Sequence, residues 1–176
     1  MGLNNTIYWD VFNGDADGIC ALLQLRLAEP RNSQLITGIK RDIALLDRVD
    51  AQSGDQVTVL DISLDKNRGH LHRILDAGAN VFYVDHHFAG EVPSSSSIKT
   101  LINEAPDVCT SLLINHYLRG AFQNWAIVGT FGDNLKKSAL GLAKSQNISQ
   151  SQLAKLERLG ILINYNGYGA DESDLH

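Results

Sequence analysis

The stretch Thr6–Ala28, TIYWDVFNGDADGICALLQLRLA, decides the fold. Its opening run, TIYWDVF, is β-branched and aromatic, which suits an extended strand. NGDADG then reads as a turn, because Asn, Asp and Gly tolerate the backbone angles of a reversal. DGICALLQLRLA, Asp17–Ala28, continues as a helix. The pattern recurs along the chain. Gln34–Ile39 is a second strand, and Ile43–Val49 a short helix after it. Gln56–Ile62 is a third strand, followed by the helix KNRGHLHRILDAG with Gly78 as its C-cap. NVFYVDH from Asn80 is a fourth strand and Ser97–Asn103 a fifth, with the SSSS run (Ser94–Ser97) in a loop. This alternation predicts an α/β fold: a doubly wound, mostly parallel five-stranded sheet. Beyond Pro106 the pattern becomes helical in VCTSLLINHYL, NWAIVGTFGDN, SALGLAKSQ and SQLAKLERLGILI, giving a helical C-terminal third. Residues 1–164 are expected to form one domain, with 165–176 a polar, Gly-rich tail or linker.

A chain of 176 residues suits one domain with one substantial core. Hydrophobic residues make up 44% and charged residues 20%, as in ordinary globular proteins. The net charge of −5 gives no basic field for long duplex DNA or an anionic membrane, though a local basic patch is compatible with it. Cys20 and Cys109 lack zinc spacing and sit in apolar runs, so buried free thiols in a reducing cytoplasm are expected. MGLNNTIYWD has neither the basic start nor the apolar core of a signal peptide, and its loose fit to a myristoylation pattern is discounted as too short. No run reaches the roughly 20 apolar residues of a membrane span, so no membrane partner is expected.

Three strand ends carry acids. NGDADG contributes Asn13, Asp15 and Asp17, for which the bland reading is a turn with Asp17 capping the helix. Asp61 ends the third strand, and Asp85-His86-His87 ends the fourth. Neighbouring strand residues point to opposite faces. Either one of the last three faces away, or the chain leaves the sheet there and re-aims them. Parallel strands place their carboxyl ends along one edge, where ligands bind. Four carboxylates gathered there repel and raise one another's pKa values unless cations neutralise them. A metal centre explains the set better than coincidence. Oxygen-rich ligands with imidazole suit Mn²⁺ or Mg²⁺, other first-row divalent ions being admissible, and the surplus of carboxylates suggests two ions sharing a ligand.

GDADG, VLD, DHH and the later GTFGD (Gly129–Asp133), in this order, resemble the four motifs of the DHH phosphoesterase family, over roughly Thr6–Asn134. That family includes RecJ-type single-strand exonucleases, oligoribonucleases that also dephosphorylate 3′-phosphoadenosine 5′-phosphate, and family II pyrophosphatases. The resemblance implies a dinuclear, usually Mn²⁺-dependent phosphoesterase acting on a nucleotide or short single-stranded nucleic acid. Pyrophosphate or another phosphoanhydride is the alternative substrate. It also implies that Asp15 holds one metal and Asp17 the other, with Asp61 bridging. His86 and Asp133 would complete the second metal's shell. His87 would face the scissile phosphate as charge stabiliser or general acid, and Asp85 would orient the histidines. On this resemblance the strand ends at Asp85 and the turn re-aims both imidazoles. Asp133 alone would read as an ordinary helix-terminal residue.

Two departures stand out. Relatives place a His or Asp shortly before the first motif aspartate, where this chain has Val11 and Asn13. Asn13 offers the first metal only a neutral amide oxygen, so that site is expected to be weaker or more hydrated. Relatives also continue through a linker into a second, substrate-binding domain, expected to be missing from this chain. Both departures favour the competing reading, a DHH-fold binding or regulatory module that does not turn over. Lys40 and Arg41 after the second strand are weaker phosphate-contact candidates. Thr110 and Ser111 open a helix as caps or as an anion site. His70, His72 and His116 are assigned no role.

Overall fold

A computed structural model describes residues 6–39 and 42–166 of the chain. Strands β1 (Tyr8–Asn13), β2 (Gln34–Gly38), β3 (Gln56–Leu60), β4 (Asn80–Asp85) and β5 (Ile98–Ile102) form one sheet in the order β2-β1-β3-β4-β5. Every neighbouring pair is parallel. The described helices are α1 (Ala16–Ala28), α2 (Leu64–Asp76), α3 (Thr110–Tyr117), α4 (Gln123–Gly132), α5 (Lys136–Lys144) and α6 (Gln150–Asn166).

Period-two alternation sorts the strand side chains into two cores. Val11, Val59 and Tyr83 pack with Leu64, Leu71 and Ile74 around α2 on one face. Their chain neighbours Phe12, Leu60 and Val84 pack on the other face under α1 and α3, against Leu25 and Ile114. A sheet covered on both faces needs apolar strands throughout, which is why these runs lack polar alternation. In the helical third, Ile127 and Phe131 of α4 meet Ala139 and Ala143 of α5, with Leu153 and Leu156 of α6 against them.

Two glycines set the distances that matter. A Cβ on Gly18 would stand 2.9 Å from the Asn13 nitrogen and collide with the Asn13 carbonyl, so only glycine lets α1 begin tight against the end of β1. A Cβ on Gly132 would overlap the Ala16 Cβ and come within 3.0 Å of the Gly160 carbonyl oxygen. Gly132 thereby brings the end of α4 against the start of α1.

Several boundaries differ from the expectation. Ile43–Val49 yields one 3-10 turn, Leu45–Arg48, rather than an α-helix. Gly78 does close helix α2 as expected, in a Schellman arrangement: at φ 85° it donates to Leu75 O, and Ala79 donates to Ile74 O. The link from β4 to β5, residues 86–97, contains no helix and carries both motif histidines. Helix α6 runs to Asn166, into the expected tail. The remaining tail residues 167–176, the start of the MGLNNT motif, Lys40 and Arg41 lie outside the described residues. Among the described residues no helix is long and apolar enough to cross a membrane.

Candidate metal centre

In this strand order the direction of winding reverses between β1 and β3, the crevice where ligands of such sheets bind. Asp15 follows β1 and Asp61 follows β3 at that crevice. Asp15 is the N-cap of α1, accepting from the backbone N–H of Asp17 at 3.1 Å and of Gly18 at 3.2 Å. The bland turn reading had given that cap to Asp17. Asp17 instead points inward and caps a different helix. Its carboxylate accepts from the backbone N–H of Thr110 (2.8 Å) and Ser111 (2.7 Å) at the start of α3, whose own N-cap, Cys109, supplies no side-chain bond. The anion that suits this helix terminus is thus the protein's own.

Asp61 has a left-handed backbone, φ 58°. Such a conformation costs on the order of 1–3 kcal/mol outside glycine, although Asp tolerates it better than most residues. Its N–H still donates to Val84 O at 3.0 Å, extending the ladder, and the Tyr83 hydroxyl donates to Ile62 O at 2.8 Å. The turn therefore drops Ile62 into the core while the Asp61 carboxylate meets the Thr110 hydroxyl at 3.3 Å.

The loop after β4 turns both imidazoles toward this cluster. His86 Nε2 lies 3.4 Å from Asp61 Oδ1, 3.8 Å from Asp17 Oδ2 and 3.8 Å from Asp133 Oδ2. His87 Nδ1 meets Asp85 Oδ1 at 2.6 Å, and the two rings stand 4.5 Å apart. Asp85 is fully buried, and its contact is with His87. Asp133, the C-cap of α4, arrives through the packing of Gly132 on Ala16. Two overlapping sets of potential ligands result: Asp17, His86 and Asp133, and Asp61, His86 and His87, each with ligand atoms within 4.8 Å of one another. Asn13, Asp15, Asp61, His86, His87 and Asp133 line one cavity of about 190 Å³.

Burial pushes the Asp61 carboxyl well above the usual carboxylate range, and the charges of Asp17 and Asp15, a hydrogen bond with Asp15 and the charge of Asp85 add to the effect. The hydrogen bond to Asp85 raises His87 above the ordinary imidazole value; burial opposes this, while the charges of Asp85, Asp17 and Asp133 reinforce it. Among the described residues no Lys or Arg pairs with Asp17, Asp61 or Asp85. Asn13 Oδ1 is buried without a hydrogen-bond partner, as is Asp85 Oδ2. An orphaned buried acceptor costs roughly 1–3 kcal/mol. Crowded carboxylates, imidazoles in reach and an orphaned amide oxygen form a donor set that fits divalent cations.

Thr110 and Ser111, read from the sequence as caps or an anion site, take a more specific part, and Asp42 escaped the sequence reading. Thr110 and Ser111 hold Asp17 and Asp61 from 49 to 94 residues away, with no local pattern to announce it. Asp42 also lines the cavity, paired with Arg48 at 3.3 Å. The strand-end rule that found Asp61 could have found Asp42, since it follows β2. His70 pairs with Asp47 at 3.3 Å, and His72 and His116 are exposed; none of the three lines the cavity.

The fold is similar to that of an exonuclease RecJ bound to manganese, with a TM-score of 0.53 at 19% identity over 91% of this chain and 52% of that one. It is also similar to the DHH domain of a member of the s1p family of ribosomal proteins (TM-score 0.63, 13% identity, 90% of this chain and 47% of that one). An uncharacterized protein from Helicobacter pylori G27 matches at TM-score 0.52 and 11% identity, over 93% of this chain and 63% of that one. The chain has the DHH-type fold and spans about half the length of the first two structures. No family model matches it, and no curated protein matches it in sequence.

Proposed function

We propose that the chain is the catalytic part of a metal-dependent phosphoesterase that acts on a nucleotide or a short single-stranded nucleic acid. The observation that carries this reading is the convergence of Asp17, Asp61 and Asp133 on His86 at the carboxyl edge of the sheet, with Asp15 lining the same cavity. The DHH-type fold supports it, and one similar structure, a RecJ exonuclease, is bound to manganese. Asp17, His86 and Asp133 would hold one divalent ion, Mn²⁺ first, and Asp15 with Asn13 another, Asp61 serving both. When bound, such ions neutralise the cluster, polarise a phosphoryl group and make hydroxide available near neutral pH. The protein's own part lies with His87. Asp85 engages Nδ1, which leaves Nε2 as the free ring nitrogen. The hydrogen bond to Asp85 favours the charged ring, and from that form Nε2–H would give its proton to the leaving oxygen as the P–O bond breaks. Water supplies the new oxygen on phosphorus and the proton that restores the imidazolium. Cys20 and Cys109 are buried free thiols, which fits a reducing cytoplasm.

Asn13 favours one second reading: a module that binds metal and ligand without turnover, because a neutral amide stands where a charged ligand is expected. Hydrolysis of bis-p-nitrophenyl phosphate with and without Mn²⁺ separates the two. Mn²⁺-dependent turnover supports the enzyme. Mn²⁺ binding without turnover supports the module, and absence of Mn²⁺ binding removes both.

A further inference from the structure

The cavity at the cluster, about 190 Å³, is smaller than the roughly 300–1,000 Å³ pockets that enclose whole organic ligands. If it seats a phosphoryl group, the organic part of the substrate lies outside, on the rim. Two large exposed apolar residues belong to this neighbourhood: Ile43 lines the cavity, and Phe88 directly follows the cavity-lining His87 in the chain. Phe88 is 67% exposed and Ile43 is 59% exposed. Scattered exposed hydrophobics are ordinary on protein surfaces. These two differ because the backbone beside each is pinned from α2 by adjacent residues. Asn67, fully buried, donates to Ile43 O at 2.5 Å and to Ser63 O at 3.1 Å, and accepts from Leu46 N. Arg68 donates to Ala89 O at 3.0 Å, while Ala89 N donates to Glu104 Oε1 at 2.9 Å and the Ala89 side chain is buried. With Ala89 fixed on one side and His87 tied to Asp85 on the other, Phe88 is presented to solvent on a stiff loop. Among the described residues no aromatic ring stacks on it. An aromatic ring kept out of the core beside a phosphate site suits a planar, apolar ligand face.

We propose that Phe88 is the stacking platform for the nucleobase of the substrate, with Ile43 as an apolar edge of the same rim, so that the site selects base-bearing phosphates over pyrophosphate. This rests on the phosphoesterase reading. Phe88 acts on the substrate and holds no metal. The test is calorimetry on the Mn²⁺-loaded full chain with two probes, AMP and inorganic phosphate. Wild type should bind AMP more tightly than phosphate. Phe88→Ala should weaken AMP by about 5- to 150-fold, the range for loss of one base stack, and leave phosphate unchanged. Phe88→Trp should retain AMP binding, and Phe88→Leu should lose most of it, separating stacking from bulk. Equal AMP affinity in wild type and Phe88→Ala overturns the proposal while phosphate binding leaves the phosphoesterase reading intact. Parallel loss of both probes overturns it too, because Phe88 would then support the loop rather than the base. Wild type binding neither probe overturns the underlying reading and the platform with it.

Discussion

Buried carboxylates occur in two regions of this sheet, and they are treated in opposite ways. Toward the amino ends of the strands, Asp10 and Asp55 each have partners matched to them. Arg26 holds Asp10 with two bonds of 2.8 and 3.0 Å, and the Ser33 hydroxyl adds a third at 2.6 Å. Asp55 accepts from the backbone N–H of Ile7 and Gln52, both at 2.9 Å, and from the Trp9 indole at 3.4 Å. At the carboxyl edge, Asp61 meets other carboxylates, and its pKa rises where that of Asp55 falls. A protein built only for stability would treat both edges alike. The difference teaches that the first pair of charges serves the fold, whereas the second cluster is held against its own repulsion, as a set of groups able to hold a cation would be.

The largest effect expected is on catalysis. His87→Ala should lower kcat by about 10²–10⁴-fold, the usual cost of a lost proton donor or charge stabiliser, with Mn²⁺ content unchanged and no rescue by excess metal. His86→Ala should instead lose bound metal and recover in part when Mn²⁺ is raised. Metal analysis beside steady-state kinetics reads both, and the opposite pattern means that the two roles are exchanged.

Next in size is the amino end. Asp10→Ala leaves Arg26, still partly wetted, without its carboxylate and should cost about 2–3 kcal/mol in denaturant unfolding. Mn²⁺ affinity should not change. Asp61→Asn is the mirror experiment. It removes a buried charge among like charges, and Asn also tolerates the left-handed backbone, so metal-free stability should rise by about 0.5–1 kcal/mol. A loss of stability in that variant would place Asp61 with Asp10, among the charges the fold needs.

The smallest effect is a slope. Burial works against the charge of Asp55, but the bonds from Gln52, Ile7 and Trp9 together hold its carboxyl below the ordinary value. Below the unfolded pKa of about 3.9 the unfolded chain therefore binds more protons at this group than the native one, so stability falls as pH falls through the lower native value. Above that window the contribution is fully present. Asp55→Asn should flatten this acid limb in unfolding measured between pH 5 and 2.

Much of this contrast was legible in the sequence, for a physical reason. Strand runs such as VTVL and VFYV are apolar because both faces of the sheet are covered, and a parallel sheet gathers every strand end at one edge. Asp15, Asp61 and the two histidines follow from those rules alone. What escaped them depends on contacts far apart along the chain. Nothing near Asp17 says that its carboxylate caps α3, 93 residues on. Nothing in VLDIS announces a left-handed Asp61, and local turn chemistry assigned the α1 cap to Asp17 when Asp15 makes it. Asp133 needed its motif, because only the approach of Gly132 to Ala16 brings it near His86.

The claim that the carboxyl-edge cluster is built for cations is tested most directly by thermal unfolding with and without saturating Mn²⁺, for wild type and Asp61→Asn side by side. A ligand at about 100 times its Kd stabilises the native state by about 2.7 kcal/mol. For a domain of this size that should raise the wild-type Tm by roughly 5–10 °C. Asp61→Asn should start higher without metal and show little or no Mn²⁺-dependent rise. An equal rise in both proteins, or none in wild type at any Mn²⁺ concentration, would contradict the account.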